Sequence, residues 1–326
     1  MQTLNLFYEE PECDRWIPGD RYPRKIIRHL VRGKPRVGGQ KRVFLNLCAG
    51  LDKLGISYRV NDYKYIQRHS EEQACIIGKP HVLNQINWKN PIIFGASVFS
   101  HPSDDLNLFK RLPIEKILVP GEWARKMFEP YYGDRVAAWP VGIDTELWKP
   151  NIDVDKDIDI LLYDKVRWER DVYEQKLIDP ILVKLNSLGL KTHLIRYGFY
   201  EEEQFHYLLK RSKAMIFLCE HETQGIAYQQ ALSCGVPILA WDRGGYWQDP
   251  SYFPDRVKFQ SVSTVPYWDE RCGVKFQNIS EFNSKLKQFL DLLNSNKFAP
   301  RNYILENLTL EKCAQNYLEL LAKIKE

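Results

Sequence analysis

Residues 219–245 read CEHETQGIAYQQALSCGVPILAWDRGG. The stretch is entered through AMIFLC (214–219) and left through PILAW (237–241), two apolar runs of strand length. AMIFLC is almost continuously apolar, the pattern of a strand buried on both faces of a parallel sheet. Between the two runs, an acidic turn ending at Gly225 hands over to a helix expected near 225–234. The strand delivers Glu220, His221 and Glu222 to the carboxyl edge of a sheet, where open α/β folds bind ligands. Gly225 permits a close turn without a Cβ. The helix then opens with unpaired N–H groups and the positive end of its dipole forward, a place suited to phosphate oxygens. Gly235, followed by Val236 and Pro237, closes it.

Short apolar runs alternating with amphipathic stretches continue outward in both directions, which predicts an α/β architecture. Toward the N-terminus, strands are expected near 4–8, 57–60, 74–78, 91–99, 116–120 and 136–141. A helix over about 40–53 is marked by Val43, Leu47, Gly50, Leu51 and Leu54, with Gly55 as its C-terminal cap, and another is read near 122–129. KPNIDVDKDIDI (149–160) is polar, carries a proline and lacks apolar periodicity, so the interdomain linker is placed there. Beyond it come DILLY (159–163), THLIRYG (192–198), the two central runs, and helices near 171–188, 201–211, 279–295 and 308–325. The expectation is two Rossmann-like domains facing a cleft, the first over 1–150 and the second over 151–307.

The chain has 326 residues, 44% hydrophobic and 27% charged, a globular balance that excludes wholesale disorder. No run approaches the roughly 18 apolar residues of a membrane span. The segment MQTLNLFYEEPEC lacks the charge and apolar pattern of a secretory signal. Seven scattered cysteines without a CxxC pair suit free thiols in a reducing compartment, so a cytoplasmic location is expected. The net charge of +4 conceals a basic stretch, residues 15–42, with ten cations against Asp20 alone. It suits peripheral contact with an anionic inner-membrane surface or a phosphorylated acceptor, and equally a solvated face. No stacking platform or zinc-knuckle spacing accompanies it, so nucleic acid is not an expected partner.

ETQGIAYQQALSCGVPILA resembles the E-x7-E signature of retaining glycosyltransferases of the group 1 (family 4) type, which have the GT-B fold. Glu222 matches the first glutamate, and Ala231, Gly235 and Pro237 match the positions after the second. The second glutamate is Gln230 here, a departure that exchanges a charged acceptor of the ribose diol for a neutral amide. LLYDKVRWERD resembles the segment whose two cations hold the donor diphosphate, with Lys165 and Arg170 at the family's spacing in reversed order and Arg167 between them. Such cations stabilise the charge that builds on a leaving diphosphate. VGGQKRVFLNLCAGLDKLGISY resembles the glycine loop and first helix, placing Gly38 and Gly39 opposite the diphosphate. RYGFYEEEQFHYLLK resembles the segment where Gly198 approaches the nucleotide base, and VGIDTELWKP the segment ahead of the linker.

The resemblance implies a metal-independent enzyme that moves a sugar, with retention, from a nucleotide-diphosphate sugar to a glycan, lipid-linked or small-molecule acceptor. It assigns Glu222, His101, Lys165 and Arg170 to catalysis. Gly38, Gly39, Lys165, Arg167, Arg170, Gly198, Glu222, Gln224, Gly225, Ile226 and Gln230 fall to donor binding. No cofactor is expected beyond the nucleotide sugar itself. The last helix, within 308–326, is expected to cross back to the first domain.

His101 also reads as a loop histidine, and Asp104 and Asp105 as a helix start. Cys219, His221 and Glu222 lack the second Cys/His pair of a zinc site. The D-x-D patterns at 153–155 and 157–159 lack a preceding strand and read as linker charges. Two other functions share these features: a GT-B nucleotide-sugar epimerase, and a non-catalytic subunit that grips a nucleotide sugar or glycan. The neutral Gln230 keeps the second of these open.

Overall fold

A computed structural model describes residues 3–10, 38–96, 99–151 and 153–324. Most of the basic stretch at 15–42 therefore lies outside the described residues. The chain divides into two units. Unit 1 comprises Met1–Val119, Phe128–Trp139 and Ala314–Glu326; unit 2 comprises Pro120–Met127 and Pro140–Cys313.

Unit 1 is built on strands β1 (Leu4–Phe7), β2 (Tyr58–Val60), β3 (Ala74–Ile76), β4 (Ile92–Phe94), β5 (Ile114–Val119) and β6 (Val136–Ala138). They form a parallel sheet in the order β2-β1-β3-β4-β5-β6. Helix Gly39–Lys53 follows β1 and buries Val43, Leu47, Gly50 and Leu51, four of the five positions that predict it. Gly55 adopts φ +68° just beyond its end, where the left-handed conformation favours glycine. The run at 91–99 stays extended only over Ile92–Phe94. At the next residue, Gly95 has φ +138°, and a Cβ there would lie 2.0 Å from the Leu118 carbonyl oxygen, so the turn requires glycine.

Unit 2 holds β7 (Ile158–Lys165), β8 (Thr192–Arg196), β9 (Ser212–Cys219), β10 (Ile238–Trp241) and β11 (Gly273–Phe276), all parallel, in the order β11-β10-β9-β7-β8. Strict alternation sends the strand residues to two cores. Leu161, Tyr163, Met215, Phe217, Ile238 and Ala240 enter one, while Ile160, Leu162, Ala214, Ile216, Leu218, Leu239 and Trp241 enter the other. Every one of these side chains is at most 3% exposed, which explains why AMIFLC shows no alternation in its sequence. Each such large aliphatic or aromatic side chain contributes about 1.5–3 kcal/mol on burial.

The α/β class with two Rossmann-like units is thus present. Differences from expectation are local. Helix Pro300–Asn307 was not legible because it carries little amphipathic contrast, and it precedes the last helix, Leu310–Ala322. The D-x-D at 157–159 is not linker: Ile158 and Asp159 open β7, and Asp157 and Asp159 pair with Arg211 and Lys213. Asp104 and His101 cap a short 3-10 turn, Pro102–Asp104, with the His101 ring accepting from the Ser103 N–H.

Candidate functional site

The site is built where β7 and β9 end side by side, with Lys165 in register with Cys219. Beyond that point no strand partner dictates the backbone, and the chain turns through Glu220, His221 and Glu222 toward helix Ile226–Ser233. Gly225 caps the helix at φ +78°. A Cβ there would sit 2.1 Å from the Tyr228 ring, so conformation and space both demand glycine. Gly235, at φ +73°, ends the helix with its N–H on the Leu232 carbonyl, and Val236 follows on Ala231.

Each cation read toward a diphosphate already faces a carboxylate. Lys165 Nζ pairs with Glu222 Oε1, both side chains nearly buried, and lies 4.4 Å over the Tyr197 ring. Burial alone would lower the Lys165 pKa, but Glu222, Cys219 and Tyr197 together, Glu222 foremost, raise the value above that of an ordinary lysine. Arg170 pairs with Asp164, which is 1% exposed, and with the exposed Glu174. Arg167 lies with Nε 3.5 Å from Glu220 Oε2, an ion-pair distance, and its Nη2 donates to the His221 carbonyl at 3.4 Å.

Glu220 organises the loop between β7 and helix Arg170–Tyr173. Its Oε1 accepts the backbone N–H groups of Arg167 and Trp168 at 2.6 and 2.8 Å, and its carbonyl accepts from Arg243 at 3.3 Å. Thr264 seals the ends of β9 and β10, its hydroxyl donating toward the Cys219 and Trp241 carbonyls at 2.9 and 2.8 Å. Cys219 sits 3.7 Å from Glu222 Oε1, and burial raises its thiol pKa far above the ordinary range. That thiol is no nucleophile at neutral pH.

Gln224 commits its amide to Val141 N–H and carbonyl (3.0 and 3.2 Å) and to Gln229 (2.9 Å). Gln230 is 6% exposed on helix Ile226–Ser233, of which Ile226 is the first residue. Gly198, at φ +85°, lies in the turn after β8 with open space where a Cβ would be. Gly38 precedes helix Gly39–Lys53 in unit 1, and neither Gly38 nor Gly39 has an atom within 4 Å of a Cβ position. His101 belongs to unit 1, 2% exposed, with Nδ1 2.9 Å from Ser103 Oγ. Also in unit 1, His69, Glu71 and Glu72 bring ligand-type atoms within 4.8 Å, with Glu72 already held by Asn5 and Tyr65.

Sequence reasoning missed Asp164, the anchoring role of Glu220, Arg243, and three tryptophans around His221: Trp123, Trp168 and Trp247. Asp164 offered a signal, a lone acid at the end of an apolar strand six residues before Arg170. The tryptophans offered none, because they come from segments up to 124 residues apart, positions 123 to 247.

Residues 179–248 match the family model described as glycosyl transferases group 1. That supports the group 1 resemblance carried by Glu222, Ala231, Gly235 and Pro237. No curated protein matches the chain in sequence. Among solved structures, the chain is similar to the Anabaena HepE protein in complex with UDP (TM-score 0.59, 11% identity, 99% of this chain and 100% of that one). It is similar also to the apo lipopolysaccharide outer core galactosyltransferase WaaB (TM-score 0.55, 10% identity, 99% of both chains). A third is sucrose-phosphate synthase from Thermosynechococcus elongatus (TM-score 0.54, 12% identity, 99% of both). Longer chains match as well; this one spans 55% of an accessory secretory protein chain from Streptococcus pneumoniae. The fold these likenesses show is GT-B. No helix among the described residues is long and apolar enough to cross a membrane.

Proposed function

We propose that the chain transfers a sugar from a nucleotide-diphosphate sugar to an acceptor hydroxyl with retention of configuration, without a metal. The observation that carries this reading is the Lys165–Glu222 pair at the common end of β7 and β9, beside the segment that matches the group 1 family model. In the free protein the two charges hold each other in place. A donor diphosphate draws Lys165 toward its oxygens, and Glu222 is released to accept hydrogen bonds from the sugar hydroxyls. In this reading Arg170 and Arg167 supply further positive charge, and the N–H groups that open helix Ile226–Ser233 add the favourable end of its dipole. As the glycosidic bond breaks, the diphosphate takes the electron pair. The acceptor hydroxyl attacks on that same face and gives its proton to a phosphate oxygen.

Gln230 meets the ribose as a neutral acceptor in this reading. The part that the resemblance gives His101 belongs to the proposal and is tested by turnover of His101→Asn. The donor is one of the UDP-, GDP- or ADP-linked sugars, CMP-linked sugars being the monophosphate class that the reading excludes, and the acceptor is a glycan, a lipid-linked sugar or a small molecule. The reading also places the protein in the cytoplasm, with residues 15–42 at an anionic membrane face.

A thermal-shift panel of those four nucleotide-sugar classes tests the proposal, because a ligand bound only by the native state raises Tm. The expected result is a rise with one class and donor-dependent release of nucleoside diphosphate when acceptor is present. Conversion of the sugar without release of diphosphate would instead establish the epimerase. Binding without any turnover would establish the non-catalytic subunit.

A further inference from the structure

His221 is 7% exposed, and neither of its ring nitrogens has a hydrogen-bond partner among the described residues. Its imidazole is surrounded by indoles: the ring centroids of Trp168, Trp123 and Trp247 lie at 5.1, 5.6 and 6.4 Å. Burial, then the charges of Arg167, Arg243 and Lys165, push its pKa down to about 2. The ring is therefore neutral at any ordinary pH. It offers one N–H donor and one acceptor, and it neither attracts an anion by charge nor serves as a proton carrier.

Two unpaired polar atoms in a buried site are a standing loss of stability, and native proteins seldom tolerate them without a role. A sugar hydroxyl is both donor and acceptor, and sugar faces stack on indole rings. The ring also lies one residue before Glu222. Its backbone is held in place: the His221 carbonyl accepts from the Cys219 thiol at 3.2 Å and from Arg167 at 3.4 Å.

The three indoles differ in burial. Trp247 and Trp123 are buried, and the Trp123 indole N–H is tied to the Glu222 carbonyl at 2.7 Å. Trp168 is only half-buried; Glu220 holds its backbone N–H, and its ring takes part in no hydrogen bond among the described residues but lies 4.8 Å under the Arg167 guanidinium. We propose that His221 is a sugar-binding residue of the donor site, pairing with a hydroxyl of the transferred sugar once the Trp168 indole swings off it. This rests on the nucleotide-sugar reading above, and it adds the group that reads the sugar rather than the diphosphate.

The test compares wild type, His221→Phe and His221→Gln for unfolding temperature without ligand and for affinity toward UDP, GDP, ADP and CMP and their sugar conjugates. For the conjugate class that wild type binds, His221→Phe should weaken the nucleotide sugar about tenfold and leave the free nucleotide unchanged. Without ligand, His221→Phe should melt a few degrees higher, since it removes both unpaired nitrogens. His221→Gln, which keeps a donor and an acceptor, should retain more of the sugar affinity than His221→Phe. Equal loss for nucleotide and nucleotide sugar, or no loss for either, overturns the assignment to the sugar. So does a His221→Phe protein too unstable to assay together with a folded His221→Gln that binds the sugar no better than the nucleotide. If wild type binds no member of the panel, the nucleotide-sugar reading itself fails and this assignment falls with it.

Discussion

The backbone N–H of Trp168 donates to Glu220 Oε1 at 2.8 Å, so a carboxylate at the end of β9 dictates the path of the loop that leaves β7. Arg167 donates to the same oxygen at 2.6 Å. Glu220 is 2% exposed, and both bonds are charge-assisted. Replacing Glu220 by alanine frees two N–H groups and uncouples the loop, for an expected loss of about 2–3 kcal/mol. Glu220→Gln, whose amide oxygen still accepts, should lose roughly half as much. Urea unfolding of the three proteins decides the point; equal stability of Glu220→Ala and wild type would show that the loop needs no anchor.

Lys165 and Glu222 are 13% and 11% exposed in their side chains, so removing either strands the other in a poorly solvated place. Lys165→Met and Glu222→Gln should each cost about 2–4 kcal/mol, and the double variant distinctly less than their sum. Each single variant should also lose donor-dependent release of nucleoside diphosphate. Full turnover by both Lys165→Ala and Glu222→Ala would remove these residues from the chemistry.

Gly225 has φ +78°, and an added Cβ meets Tyr228 Cε1 at 2.1 Å. Tyr228 is fully buried, so its ring has little room to yield. Gly225→Ala should therefore destabilise by about 2–4 kcal/mol, combining left-handed strain with overpacking. By contrast, Gly198→Ala, strained at φ +85° but with open space, should cost only about 1 kcal/mol. If both melt alike, crowding at Tyr228 is not the reason for glycine.

Stability should fall as the solution is acidified through the histidine range. His221 is pushed down to about 2 in the folded protein from an ordinary 6.5, and the His81 and His206 values are also lowered by burial. The unfolded chain then binds protons that the folded one refuses. The contribution is intact above about pH 6.5 and is lost progressively as pH falls toward the folded value. Between pH 6 and pH 5, His221 alone accounts for a loss of about 1 kcal/mol. Denaturant unfolding at the two pH values should show that increment in wild type and not in His221→Phe; an identical slope in both would mean that the ring is protonated in the native state.

Much of the fold was readable from patterns that act over a few residues. Continuous apolar runs marked β9 and β10 because both faces of that sheet are covered, and their ends were expected within two residues. The order of Glu222, Gly225, Ala231, Gly235 and Pro237 is enough to carry the family resemblance. Boundaries failed where conformation depends on a neighbour, as at Gly95, which turns against the Leu118 carbonyl from another strand.

The chain's sequence by itself determined the parallel α/β class, the strand-turn-helix that ends β9, and the two glycines that bound helix Ile226–Ser233. All of these follow from backbone geometry and from the period of apolar residues, which are local properties. Only the tertiary structure decided that Lys165 faces Glu222, that Glu220 holds the loop at 167–168, and that three tryptophans surround His221. Those relations join positions 26 to 98 residues apart, from His221 with Trp247 to His221 with Trp123. Most of them lie at or past the strand ends, where side-chain direction is set by packing rather than by alternation.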